Sequence, residues 1–362
     1  MNIENVGVVG LGTMGAGIAE VFARAGLQVL AVEIDDGAVE AGRGRLQTSL
    51  RRAVERGRLE PAEEQDVLAR LHLGTDRGAL ADAQLVVEAV PEQLAAKTAL
   101  FAELDRICPA QTVFATNTSS LPVTSIAAGT GRPERVVGMH FFNPAPVMKL
   151  VEVVRTVLTA DDVVADVRDL AGRCGKTPVV VGDRAGFVAN ALLLPYLNHA
   201  ALLVETERVS VDGLDAAVRS ATGLPMGPLA LMDLIGLDVC VPILDVLWDE
   251  FRDRRYAAGP LLRRLATAGR LGRKTGQGWY RYDSGEPVPA VGVTGGDKPF
   301  DAADLVAAHL ADAVRMVADA YASEADVDTA MRLGCGYPKG PFELLAALPA
   351  DRAERVRALA GR

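Results

Sequence analysis

Residues 5 to 15, Asn-Val-Gly-Val-Val-Gly-Leu-Gly-Thr-Met-Gly, constrain the fold more than any other stretch of the chain. An apolar run sized for one buried strand ends in three glycines, Gly10, Gly12 and Gly15, and a helix-like run follows to Ala25. Each glycine has its own reason to be there. Gly10 permits the tight turn, Gly12 lets a ligand approach the backbone, and Gly15 lets the helix pack closely on the strand. The helix then points unpaired N–H groups and its positive end outward, which suits a phosphate. Gly26 ends this helix, and a second strand, Gln28 to Ile34, carries Glu33 near its close. A carboxylate there accepts hydrogen bonds from ribose hydroxyls and repels a 2′-phosphate, so the pattern favours NAD over NADP. The glycines alone also admit FAD, and an acid at a strand end is often only a surface residue.

Short β runs recur at Leu85 to Val90, Thr112 to Ala115, Arg135 to Met139, Leu150 to Val154 and Thr177 to Val181. A long Arg-rich helical stretch precedes the first of them, and helix-sized or turn-like spacers separate the rest. Strands and helices in alternation predict a Rossmann-type, doubly wound and mainly parallel α/β sheet over residues 1–183. From Ala185 the pattern becomes one of amphipathic helices, predicting all-α C-terminal domains over 184–284 and 300–362. The last two are related by an internal repeat. Gly223-Leu-Pro-Met-Gly-Pro228 recurs as Gly336-Tyr-Pro-Lys-Gly-Pro341, and at the same offset Ser210, Asp215 and Arg219 meet Ser323, Asp328 and Arg332. Matches spread over some thirty residues indicate a diverged duplication rather than chance. The second copy is short, and the Gly- and Pro-rich segment 282–300 reads as a linker between them.

Composition narrows the function classes. No stretch holds the ~18 uninterrupted apolar residues of a membrane span, and the opening residues do not read as a signal peptide. Cys108, Cys174, Cys240 and Cys335 stand far apart, which argues against a metal site and for a reducing compartment, by default the cytoplasm. A net charge of −9 argues against nucleic-acid binding. Locally the balance reverses. Between Arg43 and Arg58 stand six arginines (43, 45, 51, 52, 56, 58) and a single acid, Glu55. They form either a solvated helix face or a docking surface for an anionic ligand.

Met139-His140-Phe141-Phe142-Asn143-Pro144 holds one of only four histidines, at the end of a β run, where doubly wound folds gather their sites. A lone histidine there could be merely structural. Glu152, however, lies inside the apolar run Leu150 to Val154, and a buried acid is costly unless paired. A His140–Glu152 pair meets that need, fixes the imidazole tautomer and raises its basicity.

Together with Asn117-Thr-Ser119-Ser120, Gly186-Phe-Val-Ala-Asn190 and Gly272-Arg-Lys274-Thr-Gly-Gln-Gly278-Trp-Tyr280, these motifs make the chain resemble the 3-hydroxyacyl-CoA dehydrogenase family. The resemblance spans residues 3 to 282 and runs on into the repeat. It implies NAD as cofactor and oxidation of a 3-hydroxyacyl thioester, with His140 as proton acceptor and Glu152 as its partner. It further implies substrate contacts by Ser119 and Asn190. NAD contacts fall on Glu33, Glu92, Lys97, Ser119, Asn143 and Lys274 beside Gly10, Gly12 and Gly15, and CoA contacts on Ser49 and Arg56. The chain departs from the family at Arg56, usually lysine, and at Ala185 and Ala191, usually proline and arginine. In relatives the first helical unit forms a homodimer, so a second copy within one chain implies either a monomer or an extension beside an ordinary dimer. An acyl-carrier-protein thioester and an inactive dinucleotide-binding relative are the rival readings. The short 3-hydroxyacid dehydrogenases share the glycine turn but use a lysine that Arg184 to Asn190 lacks.

Overall fold

The computed structural model describes residues 1–207, 209–283, 286–292 and 300–361; the parts of the expected linker at 284–285 and 293–299 lie outside the described residues. Contacts divide the chain into two units, Met1–Phe187 and Val188–Arg362.

The first unit is a single eight-stranded sheet flanked by helices. In chain order it runs β1 (Asn5–Val9), α1 (Thr13–Arg24), β2 (Gln28–Val32), α2 (Asp36–Glu55), α3 (Pro61–Ala69), β3 (Leu71–Gly74), β4 (Leu85–Glu88), α4 (Leu94–Ile107), β5 (Val113–Thr116), α5 (Val123–Ala127), β6 (Val136–Phe141), β7 (Leu150–Arg155), α6 (Asp161–Arg173) and β8 (Thr177–Gly182). The strands lie in the order β3-β2-β1-β4-β5-β6-β7-β8. Val8, Val87, Ala115 and Val137 on one face of the sheet and Val86, Phe114 and Val136 on the other are all buried, as expected where helices cover a parallel sheet on both sides. Strand order reverses between β1 and β4, which opens a crevice beyond their carboxyl ends. One pair breaks the parallel run: β7 is antiparallel to β6, and β8 follows β7.

The sequence reading differs locally from this fold. The Arg-rich stretch is two helices, because Gly57 turns the chain at φ +63° and Pro61 starts a new helix at its first position. Strand β3 was not expected, since four residues at a sheet edge carry little periodic signal. Strand β2 stops at Val32, leaving Glu33 just beyond it, whereas β6 extends to Phe141 and takes His140 inside.

The second unit comprises α7 (Ala189–Glu207), α8 (Val211–Thr222), α9 (Pro228–Ile235), α10 (Leu237–Phe251), α11 (Pro260–Thr267), a short ribbon of β9 (Tyr280–Arg281) with β10 (Val288–Pro289), then α12 (Ala303–Ala318), α13 (Glu324–Cys335), α14 (Pro341–Ala346) and α15 (Ala350–Ala360). The repeat holds in atomic detail. Ser210 and Ser323 cap α8 and α13, and both helices end at a left-handed glycine, Gly223 or Gly336. Asp215 accepts from Leu229 N and Ala230 N at the start of α9, just as Asp328 accepts from Phe342 N and Glu343 N at the start of α14. A Cβ at Gly227 or Gly340 would collide with that aspartate, so the glycine of each copy belongs to the same device. Helices α12 and α13 of the second copy pack on α7 of the first. No helix among the described residues is long and apolar enough to cross a membrane.

Candidate active site

The glycine turn fits a dinucleotide. Gly10 has φ +92°, a conformation costly for any other residue, and a Cβ there would press on the Ala89 carbonyl. A Cβ at Gly15 would overlap the Gly10 carbonyl, so α1 can rest on β1 only without one. Gly12 differs: nothing lies within 4 Å of its missing Cβ. It caps α1 with no side-chain acceptor, and no acid stands in the first turn, so that end of the helix is left for an external anion. Glu33 holds the turn from just beyond the next strand, accepting from Leu11 N at 2.5 Å and Ile34 N at 3.0 Å. Two bonds leave part of the carboxylate's acceptor capacity for ribose hydroxyls.

At the crevice beyond β4 and β5 the charges interlock. Lys97 is buried, and its ammonium meets Glu88 Oε1 at 2.5 Å, Glu92 Oε2 at 3.2 Å and Val90 O at 3.3 Å. Glu88 also accepts from Thr116 Oγ1 at 2.6 Å and Val90 N at 2.7 Å. Glu92 accepts from Thr118 Oγ1 at 2.5 Å and Ser119 N at 3.0 Å. Burial opposes its charge, yet Lys97 and these bonds hold its carboxyl below the usual range. The donors of Lys97 are thus engaged within the protein, which makes it an anchor for the β4–α4 loop. Sequence reasoning missed Glu88, although an acid in the run Leu85-Val-Val-Glu88 is the same kind of signal as Glu152. The Ser119 segment is tied to β6 as well, since Asn117 Oδ1 accepts from Phe141 N at 2.8 Å.

Antiparallel pairing sets His140 directly opposite Glu152, on one face of the sheet. His140 Nδ1 lies 2.6 Å from Glu152 Oε2, with both side chains buried. A carboxylate accepts only, so in the neutral imidazole the tautomer that suits this contact has its proton on Nδ1 and its lone pair on Nε2. The ring is walled by Phe142 and Phe187, at centroid distances of 4.6 and 5.5 Å. Asn143 follows on the exposed β6–β7 loop.

Helices α1 and α2 and the loop 143–149 enclose a groove of about 1160 Å³, also within the first unit. Ser49 and Arg56 line it, together with Arg24, Arg45, Arg52, Arg58 and Lys149, against the single acid Glu20. The arginine cluster therefore splits: Arg43 pairs with Glu40 outside the groove, while Arg45, Arg52, Arg56 and Arg58 turn into it. Asn190 opens α7 in the second unit, where Lys274 pairs with Asp238 at 2.5 Å.

A phosphate-receptive turn after β1 at the switch point, with an imidazole–carboxylate pair on β6 and β7 of the same sheet, fits a nucleotide-dependent dehydrogenase. The model of the 3-hydroxyacyl-CoA dehydrogenase NAD-binding domain matches residues 5–184, and that of the family's C-terminal domain matches 186–282 and again 300–361. The chain is 45% identical over 283 residues to a probable 3-hydroxybutyryl-CoA dehydrogenase of Bacillus subtilis, covering 78% of this chain and 99% of the relative. It is 47% identical over 282 residues to the 3-hydroxybutyryl-CoA dehydrogenase of Mycobacterium tuberculosis, covering 77% and 99%. The crystal structure of 3-hydroxybutyryl-CoA dehydrogenase from Escherichia coli K12 superposes with a TM-score of 0.91 at 34% identity, over 99% of this chain and 94% of that one. The chain belongs to the 3-hydroxyacyl-CoA dehydrogenase family, and its first unit is that family's NAD-binding domain.

Proposed function

We propose that the protein oxidises a (3S)-3-hydroxyacyl-CoA reversibly to the 3-oxoacyl-CoA, with His140 and Glu152 as its acid–base pair. The observation that carries this reading is the buried 2.6 Å contact between His140 Nδ1 and Glu152, which leaves Nε2 free to accept a proton. In the oxidative direction Nε2 takes the proton of the 3-hydroxyl, and the imidazolium that forms is stabilised by the Glu152 carboxylate. In the reductive direction the same nitrogen returns it. NAD, when bound, accepts the hydride from the substrate carbon. Gly10, Gly12, Gly15 and the first turn of α1 hold its pyrophosphate and Glu33 its ribose, while Ser119 and Asn143 bound the nicotinamide end. Lys97 serves by fixing Glu92 and the Ser119 segment. Ser119 holds the substrate's hydroxyl, and the family resemblance alone makes Asn190 a further substrate contact.

The basic groove takes the phosphates of the CoA nucleotide, with Ser49, Arg52 and Arg56 as contacts. Its size and charge favour a free CoA thioester over one on a carrier protein. The relatives' names, 3-hydroxybutyryl-CoA dehydrogenase, favour a short acyl chain. Helices α12 and α13 of the second copy pack on α7 of the first, which supports the reading that this copy takes the place of a partner subunit and that the chain is a monomer; a dimer in light scattering refutes this. The central test is His140→Gln with acetoacetyl-CoA and NADH. NADH affinity should persist while turnover falls ~10² to 10⁴-fold, and near-normal turnover removes the assignment.

A further inference from the structure

The loop between β6 and β7 follows His140 directly and forms one wall of the basic groove. Its own bonding is sparse: Val147 N and Met148 N both donate to Pro144 O, each at 3.0 Å. Support comes from either side. Towards α1, Ala145 and Pro146 lie so close that a Cβ at Gly17 would stand 3.2 Å from each. From the turn before β8, Lys176 reaches under the loop and donates to Ala145 O at 2.6 Å and Met148 O at 2.8 Å. The next amide, Thr177 N, donates to Lys149 O at 2.8 Å.

Lys176 is an expensive residue in this place. Its side chain is buried, with a relative exposure of 9% for the residue, and its hydrogen bonds go to carbonyls rather than a carboxylate. The titratable groups around it are Lys149 of the loop, Cys174 at the end of α6, and Arg24 and Glu20 of α1. Burial, reinforced by Lys149, brings its ammonium down to about 8. An apolar side chain would fill the space without that cost. What it could not do is bond two loop carbonyls at once, and charge-assisted bonds are the strong ones.

We propose that Lys176 is a positioning residue for substrate binding: it clamps residues 145–149 of the β6–β7 loop as the wall of the groove and so sets affinity for the nucleotide end of the thioester without touching it. This rests on the groove being the CoA site, as argued under Proposed function. A polyanion in the groove would also offset the repulsion from Lys149 and Arg24, so substrate and clamp reinforce each other.

The test uses the full chain with K176M and K176R. Substrates are acetoacetyl-CoA and the nucleotide-free acetoacetyl N-acetylcysteamine thioester, each with NADH. K176M should raise KM for acetoacetyl-CoA about tenfold, while kcat, the NADH KM and the KM for the truncated thioester stay within about twofold. K176R should recover most of the loss, because it restores a charged donor. Hydrogen exchange at Val147 and Met148 should quicken in K176M and return towards wild type in K176R. Unchanged exchange, or an equal rise in KM for both thioesters, overturns the proposal. If the wild type itself does not distinguish the two thioesters, the groove assignment fails and takes the affinity claim with it, while faster exchange in K176M still upholds the clamp. Should K176M not fold, K176Q makes the same comparison.

Discussion

Two one-carbon additions at the glycine turn have opposite expected outcomes. At Gly12 the backbone has a negative φ, −59°, outside the left-handed region that favours glycine, and a Cβ meets no atom within 4 Å. Gly12→Ala should therefore leave stability within ~1 kcal/mol of wild type, the range of an N-cap exchange. Its methyl nevertheless fills the space through which a pyrophosphate reaches the first N–H groups of α1. The dissociation constant for NADH should rise at least ~10-fold, close to the loss of one good charge-assisted bond. Gly15→Ala meets a different constraint. Its Cβ would overlap the Gly10 carbonyl oxygen, with the carbonyl carbon at 2.8 Å and Ala89 Cβ at 3.3 Å. Relief needs α1 to lift by roughly 1 Å from β1, yet Ile18 and Phe22 on that helix are fully buried in the core. Overpacking that cannot relax costs ~3 kcal/mol or more. Urea denaturation measures the stability of each variant, and NADH fluorescence titration its affinity. Wild-type NADH affinity in Gly12→Ala, or wild-type stability in Gly15→Ala, would refute these assignments.

Three further outcomes follow from the geometry. Glu152→Gln keeps an acceptor for His140 Nδ1 but removes the charge that stabilises imidazolium, so turnover should fall ~10²-fold with NADH affinity intact; an unaltered rate in stopped-flow assays would dismiss the pair. Replacing Arg52 and Arg56 together by alanine should raise KM for acetoacetyl-CoA by about tenfold and flatten its dependence on salt, and a KM that keeps its full salt dependence would count against the groove. His309, enclosed by Tyr196 and Tyr337, is pushed down by burial to about 4. Between pH 6.5 and 4 the unfolded chain takes up a proton that the folded chain refuses, so this residue lowers stability as pH falls through that window, by up to roughly 3 kcal/mol. In His309→Phe that part of the decline should vanish, and denaturation midpoints that track wild type from pH 7 to 4.5 would exclude it.

Much of this molecule can be read locally. Three glycines behind an apolar run specify strand, turn and helix, because each glycine answers a constraint met within a few residues. The alternation of apolar runs and helical spacers specifies a doubly wound sheet, and the recurrence at 113 residues specifies two copies of one helical device, down to Asp215 and Asp328. Other features have no local signature. The sequence reports that Leu150 to Val154 is a buried run, yet its direction is chosen by its neighbours, and only the antiparallel choice puts Glu152 opposite His140. Lys97 reads as an ordinary helix lysine until β4 carries Glu88 beneath it, and Arg43 and Arg56 look alike until α1 and the 143–149 loop close a groove on one side of α2. Sequence by itself determined which apolar runs leave water and where the main turns fall, since both follow from spacing along the backbone. Which buried groups meet was decided by the tertiary structure alone, because pairing direction and register depend on strands far away in the chain.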